Sequence, residues 1–462
     1  MRSARPVPPF VCTLAIVVAC GGCGGARGAD DAREALLVQT LVEADRELAF
    51  LRPERVAAKY VLMQSGAQPF LRGTAGVFYR DLTRLFGDGI VAHAAESELT
   101  QLFGDLHLEN AGATYDADGM LFECIDHDAT VRGPPAWDVR RAALGLAVGV
   151  GEARPGAIDR AVAALAAAYA DGLDLLVAGA PPSPLRAPLG AIVDDLLAKG
   201  AKRRDSREEL TRYTRIDPET GRRRLLRNDE QVDLRWPFSL SVDHALARYR
   251  ATRKGGRGDD AAFALKDAVE KLGSGIASYA NLRYWLLVEG PTPGEDDDLL
   301  LELKEERDPP QPVALLGRGP TTLGAPVDNG RRVLEGALSL HASPTEEPDL
   351  GAVTVEGVAF QVRSVSRARR DVDVADLTAD LTAGTYDDAD VEALGAALGR
   401  LLAGAHARSV APTALVATLG PRSSWVATVV ADAAADRARL LADRALFDHA
   451  LATRGPLLGA RQ

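Results

Sequence analysis

The chain has few cysteines, four in 462 residues, and gives no basis for a disulfide framework. Cys12 and Cys20 lie in an N-terminal segment with the character of a leader, so Cys23 and Cys124 are the thiols expected in the mature chain. Cys124 stands in a strand-like apolar run, where cysteine usually behaves as a small hydrophobic residue. We therefore expect Cys124 to be a core residue.

Long apolar segments and an excess of positive charge are also lacking. The early apolar run, Phe10–Ala19, is too short to span a bilayer. The formal net charge of −11 argues against nucleic acid as the main partner. The basic residues between 199 and 227 are interleaved with Asp and Glu, which is typical of a solvated surface. With 47% hydrophobic and 26% charged residues, the chain has the composition of one that buries a core.

The first 29 residues predict a targeting segment and a tether. Two early arginines precede the apolar run, and Val17–Cys20 resembles the box before the lipid-modified cysteine of bacterial lipoproteins. Cleavage before Cys20 leaves a lipid on that residue and a glycine-rich tether over 21–28. This interpretation gives an exported envelope protein whose membrane contact is the lipid. The alternatives are an ordinary secretory signal cleaved further on, or a mis-assigned start codon on a cytoplasmic protein.

The stretch 103–138 carries the most specific pattern. Asp105 and Asn110 have the spacing by which kinase-type catalytic loops present a carboxylate to the attacking hydroxyl and an amide to magnesium. Two short apolar runs around an Asp-Gly turn then predict a hairpin that returns Asp126 beside Asp105. We assign Asn110, Asp126 and Asp128 as magnesium ligands, and Asp105 as the catalytic residue that orients an acceptor hydroxyl. Taken alone, Asp128 is more typical of a turn or a helix cap.

Five residues near this stretch need separate interpretation. His107 and His127 are better explained as groups that fix the loop by hydrogen bonds than as metal ligands. Asp138 is expected to accept hydrogen bonds from the catalytic loop, and the Trp137 ring to pack under it. For Arg72 two interpretations stay open, a contact with a phosphate and a structural ion pair.

A second informative block begins near residue 269. A glycine-rich segment with Gly273, Ser274 and Gly275 is followed by strand-like runs, the last of which contains Lys304. This is the order in which kinases cover the phosphates of ATP and pair a lysine with them. A helical segment then offers Glu335 as the carboxylate that holds Lys304, and a hairpin follows. Alone, the glycine segment is more typical of a turn or bulge.

Five segments of the chain together resemble a known family. They are Gln68–Gly73, Gly104–Asn110, Ile125–Asp128, Pro135–Arg141 and Ala405–Arg408. The family is the bacterial group catalogued as domain of unknown function 2252, which in turn resembles the aminoglycoside phosphotransferase and protein-kinase-like fold. The resemblance covers most of the chain after the leader; it implies that fold and a metal site, and no established substrate. Phe103 and Ala129 depart from the pattern, because phosphotransferases commonly have His and the family often has Glu at these positions.

We expect an α+β, two-lobed, kinase-like fold with a mainly helical large lobe. Since Gly273 follows Asp105 in the chain, whereas the glycine loop comes first in an ordinary kinase, the expected fold is circularly permuted. The expected divisions are a leader and tether (1–29), a helical part with the catalytic loop and metal hairpin (30–185), a charged insertion (186–262), a β-rich nucleotide-binding lobe (263–372) and closing helices (373–462).

The function that this pattern favours is phosphoryl transfer from a nucleoside triphosphate with Mg²⁺, taken as ATP, to an unknown hydroxyl acceptor. Export conflicts with a supply of ATP, so a non-catalytic envelope-anchored binding protein on a kinase-like scaffold stays open. A metallophosphoesterase is a further alternative, since Asp105-Leu106-His107 matches its first element. That fold also requires a Gly-Asp-x-x-Asp and a Gly-Asn-His motif, which the sequence lacks.

Overall fold

The computed structural model describes residues 24–86, 99–204, 207–235, 238–311 and 328–460. It is 52% helix and 16% strand, which agrees with the α+β class expected from the sequence. Residues 1–23, with the predicted lipid site Cys20, lie outside the described residues. Among the described helices, none is both long and apolar enough to cross a membrane.

The helices account for most of the described chain. In chain order they are α1 (Gly24–Leu51), α2 (Pro53–Gln64), α3 (Ala67–Gly73), α4 (Ala75–Phe86), α5 (Pro135–Gly149), α6 (Ile158–Val177), α7 (Ala191–Ala201), α8 (Arg207–Tyr213), α9 (Phe238–Tyr249), α10 (Asn329–Leu340), α11 (Val374–Ala383), α12 (Asp388–Ala407), α13 (Pro412–Leu419) and α14 (Arg422–Arg454).

The strands form one large antiparallel sheet and three smaller ones. They are β1 (Thr100–Leu102), β2 (Ala111–Asp116), β3 (Gly119–Cys124), β4 (Val131–Gly133), β5 (Thr214–Ile216), β6 (Arg223–Leu225), β7 (Gln231–Asp233), β8 (Leu265–Lys271), β9 (Arg283–Val288), β10 (Leu299–Glu305), β11 (Gly351–Val355), β12 (Val358–Ser364) and β13 (Arg370–Asp371). The large sheet has the order β11-β12-β10-β9-β8-β7, and the hairpin β2–β3 is extended by β13.

The helical part is built on the close approach of α6 and α12. Gly395 permits this approach, because a Cβ at that position would lie 2.2 Å from the carbonyl oxygen of Ala161. The Ala-rich and Leu-rich faces of α5, α6 and α12 form one apolar core with the buried side of the β2–β3 hairpin. The loop that precedes β2 therefore rests on a rigid helical support.

The two faces of the large sheet differ, as the alternation of side chains along a strand requires. One face is apolar and packs against α9, with Leu286 of β9 and Leu303 of β10 at its centre. On the other face Lys304 lies in register with Arg283 of β9 and Gln361 of β12. This end of the sheet is therefore polar and faces the helical part of the molecule.

Two segments differ from the sequence-based expectation. Within the segment expected to be a charged insertion, 186–262, β7 joins the edge of the large sheet and α9 covers one of its faces. The apolar residues of α9 recur at helical spacing (Phe238, Val242, Ala245, Leu246, Tyr249), and the surrounding charge obscured this signal. The last residues of the predicted tether, 24–28, belong to α1.

The turn at Gly104 is a position that only glycine fits. Its φ is +80°, and a Cβ there would lie 2.0 Å from the carbonyl oxygen of Ala129. The hydroxyl of Tyr79 donates a hydrogen bond of 2.5 Å to the Gly104 carbonyl. The turn is therefore fixed by its own backbone conformation and by contacts on two sides.

We predict that Gly104→Ala lowers the free energy of unfolding by about 3 kcal/mol or more, since the methyl group adds a steric clash to the cost of a left-handed backbone. Gly357→Ala is the matched control, because Gly357 also has a φ of +80° but has open space around its Cβ position. Chemical denaturation of both variants measures the difference. Equal losses in the two variants would show that the contact with Ala129 does not matter.

Candidate functional site

The hairpin β2–β3 returns Asp126 to the loop that carries Asp105, as the sequence predicts. Its register pairs Ala111 with Cys124, and the amide of Ile125 donates to the carbonyl of Asn110 at 2.9 Å. The turn is closed by Asp116, whose carboxylate accepts from the two amides that follow Ala117. The chain therefore returns Asp126 to the level of the loop that carries Asp105 and Asn110.

The loop that precedes β2 is anchored from beneath by Asp138 of α5. The amides of Phe103 and Gly104 donate to its carboxylate at 2.7 and 2.9 Å, and the carboxylate is fully buried. The sequence-based prediction that Asp138 accepts hydrogen bonds from this loop is confirmed. Trp137 is buried and contacts Tyr79, whose hydroxyl binds the same loop.

Asp105 lies in this loop with one oxygen fixed. Its Oδ1 accepts from Nε of the fully buried Arg141 at 2.7 Å, and its Oδ2 lies 4.0 Å from Nε2 of His107. Burial raises the pKa of Asp105 to about 6, and the nearby Arg141 limits that rise. The amide nitrogen of Asn110 donates to the main-chain carbonyl of Asp105 at 2.9 Å, which orients its side chain toward the same loop.

Lys304 of β10 meets the two carboxylates that follow the hairpin. Its Nζ lies 3.1 and 3.0 Å from the carboxylate oxygens of Asp126 and 2.5 Å from an oxygen of Asp128. The lysine side chain is 3% exposed and each carboxylate is 30% exposed. The ammonium group is therefore buried, whereas the two carboxylates are accessible to solvent. The residues come from segments more than 170 positions apart in the chain.

The pKa values of Lys304, Asp126 and Asp128 are shifted because the three charged groups lie close together and are largely buried. Burial opposes ionisation of Asp126, but the charges of Lys304 and Arg363 and the hydrogen bonds that the carboxylate accepts together outweigh burial and hold its pKa well below the usual range. Burial and the charge of Asp126 raise the pKa of Asp128 to about 6. Burial alone would lower the pKa of Lys304, and the two carboxylates raise it instead. At neutral pH the lysine is therefore a cation held mainly by Asp126.

Glu335 does not hold Lys304, and this expectation from the sequence is wrong. Glu335 is exposed and forms an ion pair with Arg331 one turn earlier, at 2.7 Å. Successive residues of a helix are rotated by about 100°, and the buried face of α10 contains Arg332, Val333 and Gly336. The carboxylate at 335 consequently points to solvent.

Two charged residues of this region were not identified from the sequence. Glu306, two residues after Lys304, is 4% exposed, and its Oε1 has no hydrogen-bond partner among the described residues. Burial and the charge of Asp128 raise its pKa well above the ordinary value. Arg332 donates to the main-chain carbonyls of Asp128 and Thr130 at 2.9 and 2.7 Å. Only helix phase and strand alternation, applied after the elements are placed, reveal these positions.

The glycine segment lies between β8 and β9, as the sequence predicts. Gly273 and Gly275 have φ of +70° and +76°, and within the described residues no protein group accepts a hydrogen bond from the amides of 273–278. The segment borders a cavity of about 290 Å³ that is also lined by Ser274, Tyr279 and Arg283. Arg283 is the cross-strand neighbour of Lys304, whereas Lys304, Asp126 and Asp128 do not themselves line this cavity.

The remaining residues of the site have structural partners. Arg72 forms an ion pair of 3.0 Å with Glu109 in the loop that precedes β2, which matches the structural one of its two interpretations. His107 and His127 are buried, and burial lowers the pKa of His107 well below its usual value and that of His127 to about 4. Both imidazoles are thus neutral at pH 7. The thiol of Cys124 is buried, in agreement with a core role.

A buried polar chain beneath the loop was also missed. The Tyr169 hydroxyl lies 3.0 Å from Nδ1 of His406, and Nε2 of that histidine lies 3.3 Å from the Asp138 carboxylate. All three side chains are buried. This Tyr169–His406–Asp138 chain orients the carboxylate that anchors the loop preceding β2, so α6 and α12 contribute to the site indirectly.

The described carboxylates do not form a metal cage of their own. No group of three or more His, Cys, Asp or Glu side chains within the described ranges is arranged to hold a metal ion. Mg²⁺ is commonly bound by one or two carboxylates together with substrate phosphates, and Asp126 with Asp128 fits that arrangement. The donor set therefore suits a cation that arrives with a phosphate ligand.

A comparison with known proteins gives one match. A family model described as "Uncharacterized protein conserved in bacteria (DUF2252)" matches residues 51–451, which include the loop that carries Asp105, the hairpin and the large sheet. No curated protein and no solved structure matches the chain.

We predict that His127→Gln weakens the pH dependence of stability. The folded protein binds a proton at His127 less readily than the unfolded chain, whose pKa is near 6.5, so stability is lost as pH falls from 6.5 toward 4. Between pH 7 and pH 5 this single group accounts for about 2 kcal/mol of unfolding free energy. Urea denaturation at both pH values measures the loss, which should be smaller in the variant by that amount.

The matched control for this measurement is His244→Gln, because His244 is exposed on α9. It should show the pH dependence of the wild type. An unchanged dependence in His127→Gln would mean that His127 gains its proton as easily in the folded protein as in the unfolded chain.

Proposed function

The chain belongs to the DUF2252 family of bacterial proteins, and we propose that it is a kinase-like phosphotransferase that uses Mg²⁺ and ATP to phosphorylate a hydroxyl-bearing acceptor. The single observation that carries this proposal is the contact of Lys304 with Asp126 and Asp128. It joins the cation and the carboxylates that phosphoryl transfer needs, from two separate parts of the chain.

The roles of the charged groups follow from the ligand's own charges. Asp126 and Asp128 would hold the magnesium ion together with the side-chain oxygen of Asn110, and Lys304 would contact the phosphates. The metal ion supplies charge neutralisation at the phosphates during transfer. The carboxylates are partly exposed while the lysine is not, so a ligand enters from the carboxylate side.

Asp105 is suited to orient the acceptor hydroxyl and receive its proton. One oxygen is fixed by Arg141, so the other has a defined direction. A pKa of about 6 keeps the carboxylate mostly ionised at neutral pH and basic enough to accept a proton as the hydroxyl attacks. His107 is neutral and buried beside it, which limits water around the carboxylate.

The glycine segment supports binding of the phosphate chain. Consecutive free amides in a glycine-rich turn form a concave site for anions, and those of 273–278 are not used within the described protein. The order of strand, glycine segment, two further strands, helix and hairpin in the large sheet supports a kinase-like small lobe. On this proposal the lobes are circularly permuted, since the catalytic loop comes first.

A non-catalytic binding protein is the second candidate, and the Arg141 contact favours it. An ion pair of 2.7 Å with a fully buried guanidinium weakens Asp105 as a proton acceptor. Phe103 and Ala129 also depart from the phosphotransferase pattern. Binding of Mg·ATP without turnover identifies this candidate. The leader motif that ends at Cys20 supports an exported, lipid-anchored protein for either function.

We predict that the purified chain binds a non-hydrolysable ATP analogue only with Mg²⁺, and that Lys304→Met and Asp126→Asn each weaken binding at least tenfold. The reason is that each variant removes one partner of the phosphate or of the metal ion. Isothermal titration calorimetry gives the dissociation constants. Glu335→Gln is the control, because Glu335 pairs only with the exposed Arg331 in the described structure and should bind as the wild type does.

Folding of these variants is checked by circular dichroism, since Lys304→Met leaves two carboxylates unpaired. Wild-type protein that binds no nucleotide with Mg²⁺, or folded variants that bind as tightly as the wild type, would reject the proposed function.

We further predict that Asp105→Asn lowers basal ATP hydrolysis at least 100-fold while the affinity for Mg·ATP changes less than threefold, as expected for a residue that contacts the acceptor and not the donor. A coupled assay of ADP release measures turnover, with water as acceptor. Full activity in the variant would remove Asp105 from the chemistry. Tight Mg·ATP binding by a wild type without turnover would select the second candidate.

A further inference from the structure

Arg332 lies at the junction between α10, the large sheet and the segment that carries Asp128. Its guanidinium donates to three main-chain carbonyls, those of Thr130 at 2.7 Å and of Asp128 and Arg307 at 2.9 Å. Its Nε donates to Asn329 in the first turn of its own helix at 3.0 Å. One planar group therefore fixes the segment after the hairpin to the segment after β10.

The helix reaches this position because two glycines face inward. A Cβ at Gly336 would lie 2.4 Å from the Thr130 side chain, and one at Gly330 would lie 2.5 Å from the carbonyl of Phe360 in β12. The side of α10 that contains Arg332 thus packs directly on both the sheet and the segment 128–130. No side chain larger than the hydrogen of glycine fits at these contacts.

The segment 125–130 depends on side chains from the sheet and from α10 for its shape. Arg363 donates to the carbonyl of Ile125 at 3.0 Å and Gln311 to that of Ala129 at 3.3 Å. With Lys304 on the carboxylates and Arg332 on two carbonyls, most of the segment is held from the opposite part of the chain. Arg332 provides the largest number of these main-chain contacts.

We propose that Arg332 is the positioning residue of the metal-binding segment: by holding the main chain at Asp128 and Thr130, it places the Asp126 and Asp128 carboxylates relative to Lys304. This inference rests on the proposed function and deepens it. In this inference α10 aligns the site through hydrogen bonds from Arg332 to main-chain carbonyls. The sequence instead predicts that α10 aligns it through an ion pair between Glu335 and Lys304. A guanidinium can bridge several carbonyls at once, which an ammonium cannot do in the same geometry.

Charge explains why an arginine is tolerated at this depth. Arg332 is 8% exposed, and burial lowers its pKa, while the nearby Glu306 and Asp128 carboxyls oppose that change. The guanidinium therefore remains a cation next to two acidic groups. Its removal leaves three main-chain carbonyls without this donor, so the segment should loosen.

The test compares Arg332→Met and Arg332→Lys with Arg331→Met, which changes the neighbouring, exposed arginine of the same helix. Hydrogen–deuterium exchange of a peptide spanning 125–130 reports the segment, where the amides of Ile125, Asp128 and Thr130 are hydrogen-bonded. Exchange should become at least tenfold faster in Arg332→Met, intermediate in Arg332→Lys and unchanged in Arg331→Met. The magnesium concentration for half-maximal binding of the ATP analogue should rise at least tenfold in Arg332→Met.

Leu334→Val, a buried change on α10, separates positioning from general destabilisation, because it should lower stability without raising the magnesium requirement. If exchange over 125–130 is unchanged in Arg332→Met, or if it accelerates while the magnesium requirement stays at the wild-type value, the inference is wrong. A wild type that binds no nucleotide would instead refute the proposed function, and the exchange data alone would then decide whether Arg332 positions the segment.

Discussion

The structure depends on the ion pair between Lys304 and the two carboxylates after the β2–β3 hairpin. Burial of a lysine costs free energy unless its charge is compensated. Here the compensating carboxylates come from a segment that lies more than 170 residues earlier in the sequence. The contact is therefore possible only if two registers are right at once, that of β10 in its sheet and that of the hairpin. A slip of one residue in β10 would turn Lys304 to the apolar face that packs on α9.

The loop with Asp105 is fixed by a second buried charge, and the two constraints support each other. Asp138 would be unstable in the core without the amides of Phe103 and Gly104 and the imidazole of His406. These contacts fix the position of the loop on the helical core, and the hairpin that starts from the loop fixes the position of Asp126. The helical core therefore determines where the carboxylates stand, while the sheet determines where the cation stands.

Much of this could be predicted where the signal is local. Residue spacing predicts the loop, the turn residues predict the hairpin, and the strand-like apolar run predicts the strand that contains Lys304. The structure has each of these elements at the predicted place in the chain. Glu335 was assigned to the wrong face of its helix because a motif names a position in the chain and not the rotation of the helix on its axis. Arg332 could not be found, since its partners are main-chain carbonyls of segments far apart in the sequence. Glu306 could not be found either, since its burial depends on how distant elements pack around the end of β10.

The charges around the site nearly balance, and this balance restricts what can bind. Lys304 lies against Asp126 and Asp128 in a partly buried setting, so a bare phosphate bound to the lysine would leave the carboxylates uncompensated, and a bare cation bound to the carboxylates would leave the lysine uncompensated. On the proposed function, a ligand with both charges would exchange partners pairwise: the carboxylates would hold its metal ion, and the lysine would contact its phosphates. Such a ligand would compensate Lys304 and its two carboxylates at the same time. For this reason the proposed function expects magnesium and nucleotide to bind together more tightly than either one alone.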